Sequence, residues 1–485
     1  MPTATATAEA TATSSRTTRA SSSKRADLVT PTSRASTRVD KGKKTEPTFE
    51  IVVLGSGGGP LETDCSGYLV KPAQKSWEDG LLALEGGSGL GALVSLLSTI
   101  PPSTLFPKIS FPPEYNSPLL QAAYIFSFLT CYLITHAHLD HVQSLIMMSG
   151  SMPPRHSVQP KLPLISSTSE SVVVPPRPCP PIFGTRSTLE KLAMVYGGQI
   201  WPEIAIWAPE PKSKGKSGHE EHEAQRNTKS GTRRKDKADY HGEVEDPYHW
   251  EFPREARHSA CLSFAPLHPF REYQPLHPEL PLSVSTYPVV HGLTSRGHYD
   301  SSAMFIRCRP DGTCPRAGSN GNGALRPRDQ DPDAGRQVLF FGDVESSFRR
   351  PGDEDVDMDR RDLAGEMTRA IWTEAAKSWN EGMLCGIFIE CSYETARPAG
   401  LLYGHLSPPS LWYEMETLAG LVSSSKSRPL DGLKVYITHI KDNLVPHPTG
   451  RTARDIIMSE LWALEKQGQL GVEFIETKRG DRIVL

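Results

Sequence analysis

From Phe49 to Lys441 the chain alternates short apolar runs with glycine-rich turns and polar stretches, and the length and patterning of each run separate strands from helices. "FEIVVLGSGGGP" (Phe49–Pro60) is a β-branched apolar run ending in glycines, which predicts a first strand entering a tight turn. "SGYLVKP" (Ser66–Pro72) predicts a second strand, and "DGLLALEGGSGLGALVSLL" (Asp79–Leu97) a strand, a turn and a helix. "AAYIFSFLTCYLIT" (Ala122–Thr135) divides into a helical first half and a buried strand. Later runs of strand length are "LSVSTYPVVHG" ending at Gly292, "SSAMFIRC" from Ser301, "QVLFFGDVE" (Gln337–Glu345), "CGIFIECSY" (Cys385–Tyr393) and "LKVYITHIK" (Leu433–Lys441). Four of these five carry His, Asp or Glu at or near their ends. Ligand-type side chains thus collect at strand ends, as in a layered α/β fold whose site lies along one edge of its sheets.

Composition changes the domain count. A length of 485 residues suggests two or three domains, but several stretches cannot belong to a packed core. Residues 1–46 are rich in Ala, Thr and Ser with scattered Arg and Lys; they resemble a transit peptide in composition but lack an apolar helical face, and so read as a disordered tail. Four further polar stretches are Ser157–Pro181, Lys212–Glu245, Arg309–Gln337 and Arg349–Asp362. Apolar segments resume after each, so they read as surface insertions into one domain over 47–485.

Charge and cysteines narrow the setting. Lys and Arg total 53 against 56 for Asp and Glu, so there is no global pull toward nucleic acid or membrane. The eight cysteines are scattered, without CxxC spacing, which favours a reducing compartment. No apolar run approaches the roughly 20 residues needed to span a bilayer. The expectation is a soluble cytoplasmic protein, with mitochondrial targeting by the tail left open.

The chemistry is concentrated in "LITHAHLDHVQSL" (Leu133–Leu145). If the chain stays extended after Ile134, His136 and His138 point to the same side and can share one metal ion. A helix beginning near Leu139 would turn Asp140 and His141 toward a second position, anchored by the apolar stripe of Val142, Leu145, Ile146 and Met148. A lone histidine is more often a hydrogen-bonded core residue than a ligand. Four ligand-type residues within six positions point to a pair of metals.

The cluster resembles the HxHxDH signature of the metallo-β-lactamase superfamily. "THAHLDH" together with "VVLGSGGGPLETDCSGYLV", "IWPEIA" (Ile200–Ala205), "FFGDVE", "FIECSY" and "GHLSP" resembles the class II cyclic-nucleotide phosphodiesterases of fungi and some bacteria, over most of the chain from about Phe49 to about Pro448. Two departures are Glu85, where the superfamily usually has Asp beside the ligands, and Ser144, where Gly commonly follows the signature.

The resemblance implies a four-layer αββα metallo-β-lactamase-like sandwich. It implies that His136, His138 and His291 hold one divalent ion, that Asp140, His141 and His439 hold a second, and that Asp343 bridges them. Zinc is the implied metal. The implied catalytic set is Asp140 with Glu390 and His405, whose spacing resembles the Glu…His pair of ribonuclease Z relatives: His405 would protonate the ribose 3′ oxygen and Glu390 would fix its tautomer. The implied reaction is hydrolysis of 3′,5′-cyclic AMP, and by extension cyclic GMP, to the 5′-monophosphate by a metal-bound hydroxide. Two dications outweigh two aspartates and one hydroxide, so such a site favours an anion.

Other readings of the residues remain. "LGSGGG" matches neither the dinucleotide fingerprint nor the P-loop, since Pro60 follows the last Gly, and reads as a tight turn supporting the metal loop. "TSRGH" (Thr294–His298) is expected near the phosphate, with Arg296 as an anion contact and His298 lining the pocket. A ribonuclease Z-like RNA hydrolase would need a basic arm, whereas the basic segment here is interrupted by acids. A catalytically silent scaffold would be expected to have lost ligands, and all seven positions are filled. No nucleic-acid or membrane partner is expected, and protein partners of the insertions are not readable.

Overall fold

The computed structural model describes residues 46–151, 180–208, 261–270, 272–309, 335–350, 358–422 and 427–485. The tail up to residue 45, the whole of Lys212–Glu245 and most of the other polar stretches lie outside the described residues. Pro47–Leu485 forms one compact unit.

Two mixed sheets face each other. The first is built from β1 (Phe49–Gly55), β2 (Gly67–Pro72), β3 (Leu81–Leu84), β4 (Leu129–Leu133), β5 (Pro181–Thr185), β6 (Ala205–Trp207) and β7 (Leu262–Leu267), with a late strand, β15 (Arg482–Val484), in the order β15-β1-β2-β3-β4-β5-β7-β6. The second is built from β8 (Gln274–His277), β9 (Leu280–Thr294), β10 (Gly297–Cys308), β11 (Arg336–Phe341), β12 (Leu384–Glu390), β13 (Leu433–Thr438) and β14 (Val472–Glu476), in the order β14-β13-β12-β11-β10-β9-β8. Each sheet is antiparallel on one side and parallel on the other: β3-β4-β5-β7-β6 in the first and β11-β12-β13-β14 in the second.

Period-2 alternation decides which face each side chain takes. In β1, Ile51 and Val53 pack between the sheets while Val52 and Leu54 face outward; in β13, Tyr436 faces inward while Val435 and Ile437 face outward. Helices cover both outer faces. Those over the first sheet are α1 (Leu90–Leu97), α2 (Pro102–Leu105), α3 (Pro118–Phe126), α4 (Leu139–Met148) and α5 (Arg186–Val195). Those over the second are α6 (Met358–Asn380), α7 (Pro408–Leu421) and α8 (Ala453–Gly468). The result is the four-layer αββα sandwich that the sequence led us to expect. No helix among the described residues is long and apolar enough to cross a membrane.

Local signals place the ends. Thr452 and Asp455 form a capping box that starts α8, and the Thr185 hydroxyl accepts from the Thr188 N–H to start α5. Three expected insertion boundaries differ from the structure. Pro181 opens β5, Arg336 and Gln337 belong to β11, and Met358–Asp362 form the first turn of α6. In that turn Arg360 pairs with Glu345 at 2.8 Å, and the buried Arg361 donates to the Phe348 carbonyl. A charged composition that suggested a solvated loop is accommodated here by specific acceptors.

Candidate active site

Strand ends β3, β4, β11, β12 and β13 open onto one edge of the sandwich. They deliver Glu85, His136, Asp343, Glu390 and His439 respectively, each within a few residues of the last paired position. His291 differs from expectation: β9 runs on to Thr294, so His291 lies within the strand, next to Gly292 at φ +71. The β9–β10 hairpin absorbs "TSRGH": Thr294 lines the cavity described below, whereas Arg296, expected as an anion contact, and His298, expected to line the pocket, are exposed at the hairpin tip and are not among the residues lining it.

Asp343 sits at the centre. Its Oδ2 lies 3.5 Å from His136 Nε2 and 3.4 Å from His291 Nε2. Its Oδ1 lies 3.3 Å from both His141 Nε2 and His439 Nε2. His138, the residue preceding α4, turns Nδ1 to within 3.2 Å of His291 Nε2. Asp140 Oδ2 is 3.1 Å from His439 Nε2 and 4.0 Å from His141 Nε2. The seven residues therefore form two sets that share one carboxylate, and the ligand atoms within each set lie within 4.8 Å of one another.

Surrounding groups orient the rings. His291 Nδ1 is 3.1 Å from the Gly404 carbonyl, an acceptor only, so Nδ1 carries the proton and Nε2 is left bare. Glu85 Oε1 accepts from the Thr135 N–H at 3.2 Å while Oε2 stands 3.5 Å from His141 Nδ1, so the longer side chain still reaches the histidine ring. Tyr299 stacks on His138 with ring centres 4.1 Å apart. The turn after β1 reaches the site as well: a Cβ on Gly58 would meet the His439 ring at 2.5 Å.

The donors fit divalent cations. His136 Nε2 and both ring nitrogens of His141 are buried without a hydrogen-bond partner. Burial holds the His136 and His291 imidazoles below their ordinary range, and lowers His138 to about 3, keeping these rings in the neutral form that ligates. Burial alone would also lower His141, but Asp343, Asp140 and Glu85 outweigh it and hold that ring well above the ordinary range. Three carboxylates around one buried ring make an enclosure that calls for positive charge.

Glu390 and His405 are brought together next to this cage. His405 Nδ1 is 2.9 Å and 3.1 Å from the two carboxylate oxygens, so Nδ1–H donates and Nε2 is left for chemistry. A cavity of about 520 Å³ adjoins, lined by His138, His291, His405, Tyr299, Arg350 and Glu345 among others. Arg360 and Arg361 also reach it. These cationic residues were missed from sequence because they sit at the edges of the acidic stretch 349–362.

Residues 54–210 and 259–480 match the profile of the class-II cAMP phosphodiesterases. The chain belongs to this family. Among relatives of this class II chain, a 3′,5′-cyclic-nucleotide phosphodiesterase of Candida albicans is 24% identical, across 90% of this chain and 100% of that protein. The 3′,5′-cyclic-nucleotide phosphodiesterase 1 of Saccharomyces cerevisiae is also 24% identical, across 87% and 95%. The crystal structure of unliganded yeast PDE1 superposes with a TM-score of 0.59 at 22% identity, across 91% of this chain and 100% of that one, which supports the shared fold.

Proposed function

We propose that this class II phosphodiesterase hydrolyses 3′,5′-cyclic AMP, and cyclic GMP by the same chemistry, to the 5′-monophosphate, and so acts in cyclic-nucleotide signalling. The single observation that carries the reading is Asp343, whose two oxygens are divided between two sets of histidines. His136, His138 and His291 would hold one divalent ion; Asp140, His141 and His439 the other. Zinc suits the nitrogen-rich donors, and two such ions would make water nucleophilic at neutral pH and stabilise charge developing on the phosphoryl oxygens. The protein's part is to fix the ligands, exclude competing donors and supply a proton. His405, with Nδ1 committed to Glu390, offers Nε2–H in its protonated form to the departing 3′ oxygen, an alkoxide too basic to leave unaided. The catalytic domain spans 47–485, with the polar stretches as surface insertions and residues 1–46 as a tail, in a cytoplasmic protein.

The test is a purified full-length chain assayed on cyclic AMP, cyclic GMP and a precursor tRNA, with and without chelator, beside His138→Ala. Cyclic nucleotide turnover that is lost with chelator, restored by zinc and abolished in the variant is expected. Cleavage of the RNA alone would overturn the substrate assignment in favour of a ribonuclease Z-like enzyme. No turnover of any substrate, with both metals bound, would favour a scaffold.

A further inference from the structure

Ser392 lies two residues beyond the end of β12 and is fully buried. Its main chain is held on both sides: its N–H donates to the Leu406 carbonyl at 3.0 Å and its carbonyl accepts from Lys441 N–H at 3.1 Å. The hydroxyl oxygen stands 2.5 Å from Glu390 Oε2, 3.0 Å from His439 Nδ1 and 2.8 Å from the His439 carbonyl. A hydroxyl has one proton to give, so only one of these groups receives it.

The surroundings of Glu390 decide which one. Its Oε1 accepts from Val344 N–H at 2.7 Å, and its Oε2 accepts from His405 Nδ1–H at 2.9 Å and Leu406 N–H at 3.3 Å. These donors meet both carboxyl oxygens as acceptors, and a 2.5 Å oxygen–oxygen approach to Oε2 requires a proton in between, which the Ser392 hydroxyl supplies. Ser392 therefore donates to Glu390. In the tautomer that frees His439 Nε2, which faces Asp140 and Asp343, to ligate an ion, Nδ1 carries the proton and the lone pairs of the Ser392 oxygen are placed to receive it.

We propose that Ser392 is a positioning residue that sets the tautomer of His439 through Glu390, tying the proton-donating pair Glu390–His405 to the Asp140/His141/His439 metal set. This rests on the dinuclear reading given above. Without the hydroxyl, Glu390 keeps its other donors, but His439 Nδ1 is left without this partner in a buried site. The ring then gains by moving its proton to Nε2 and donating it to Asp140, which removes that nitrogen as a ligand.

The experiment titrates metal-free full-length protein with zinc against a chromophoric chelator, for wild type, Ser392→Ala and Ser392→Thr, with the melting of each apo-protein recorded. Wild type should bind two ions. Ser392→Ala should hold the first ion within about twofold and bind the second roughly 10- to 100-fold more weakly. Ser392→Thr, which keeps the hydroxyl, should recover the second ion. The proposal is overturned if Ser392→Ala binds both ions as tightly as wild type, or if both weaken together with a lowered apo melting temperature. A wild type that binds no pair of ions would remove the dinuclear reading itself and this proposal with it.

Discussion

Gly58 lies beneath the His439 ring, and a Cβ at that position would stand 2.5 Å from both Cε1 and Nδ1. That contact cannot be relieved by a small rotation, because the His439 carbonyl is also within 2.8 Å of the same point and the His439 N–H is tied to Ser56 at 2.6 Å. Gly58→Ala should therefore displace a metal-set ring and cost about 100-fold or more in kcat. Gly91, where a Cβ meets nothing within 4 Å, is the control in α1. Gly91→Ala should leave turnover intact and raise stability by about 0.5–1 kcal/mol, read from denaturant midpoints.

Because Asp343 serves both histidine sets, its removal and that of a single-set ligand should differ in kind. Asp343→Ala should lose both ions together on metal analysis. His138→Ala should keep the ion of the Asp140/His141/His439 set at the lower zinc concentrations that empty its own. Independent loss in Asp343→Ala, one ion retained at wild-type affinity, would show that the carboxylate is not shared.

The role of His405 can be separated from geometry by changing the leaving group. A cyclic nucleotide releases an alkoxide, whereas bis(4-nitrophenyl) phosphate releases a stable phenolate that needs no proton. His405→Ala should slow the first by about 10²–10⁴-fold and the second by less than about tenfold. Equal losses on the two substrates would count against proton donation.

Away from the site, Glu50 carries a pH signature. Burial pushes its carboxyl up, but bonds from Arg482 at 2.7 Å and Lys71 at 2.6 Å outweigh this and hold it below the ordinary value of 4.5. A carboxylate whose folded value is depressed stabilises the fold above its unfolded pKa, and that contribution is lost as pH falls through the folded one. Glu50→Gln should be less stable than wild type at pH about 7, and the gap should close as the pH is lowered from about 4.5. Paired melting curves at the two pH values check this; a gap that widens in acid would contradict it.

The parts that could be read in the sequence share one property: their signal is local. Strands β1 and β4 announce themselves by apolar runs that end at Gly55 and Thr135, β2 and β3 by short apolar runs bounded by Pro72 and by Gly80 and Gly86, and the stripe of α4 by Val142, Leu145 and Ile146. The candidate ligands were legible because His, Asp and Glu at strand ends are unusual in a core. Elsewhere tertiary contacts make the decision. The start of α6 looked like a solvated loop until Glu345 and the Phe348 carbonyl supplied acceptors for Arg360 and Arg361. Likewise β9 looked complete at Gly292 until pairing with β10 carried it to Thr294. Ser392 was visible in "FIECSY", but nothing in the sequence brings His439 to it across 47 positions.

The pairing of β1 with β15 has a consequence for biosynthesis. Arg482 and Glu50 are 432 positions apart, so while the chain is being made the outer side of β1 has open amide and carbonyl groups and a buried carboxylate short of one cation. During that interval another nascent copy could add a strand there. A ribosome stalled before Arg482 would therefore leave a chain whose candidate metal ligands are all translated but whose first sheet is unsealed.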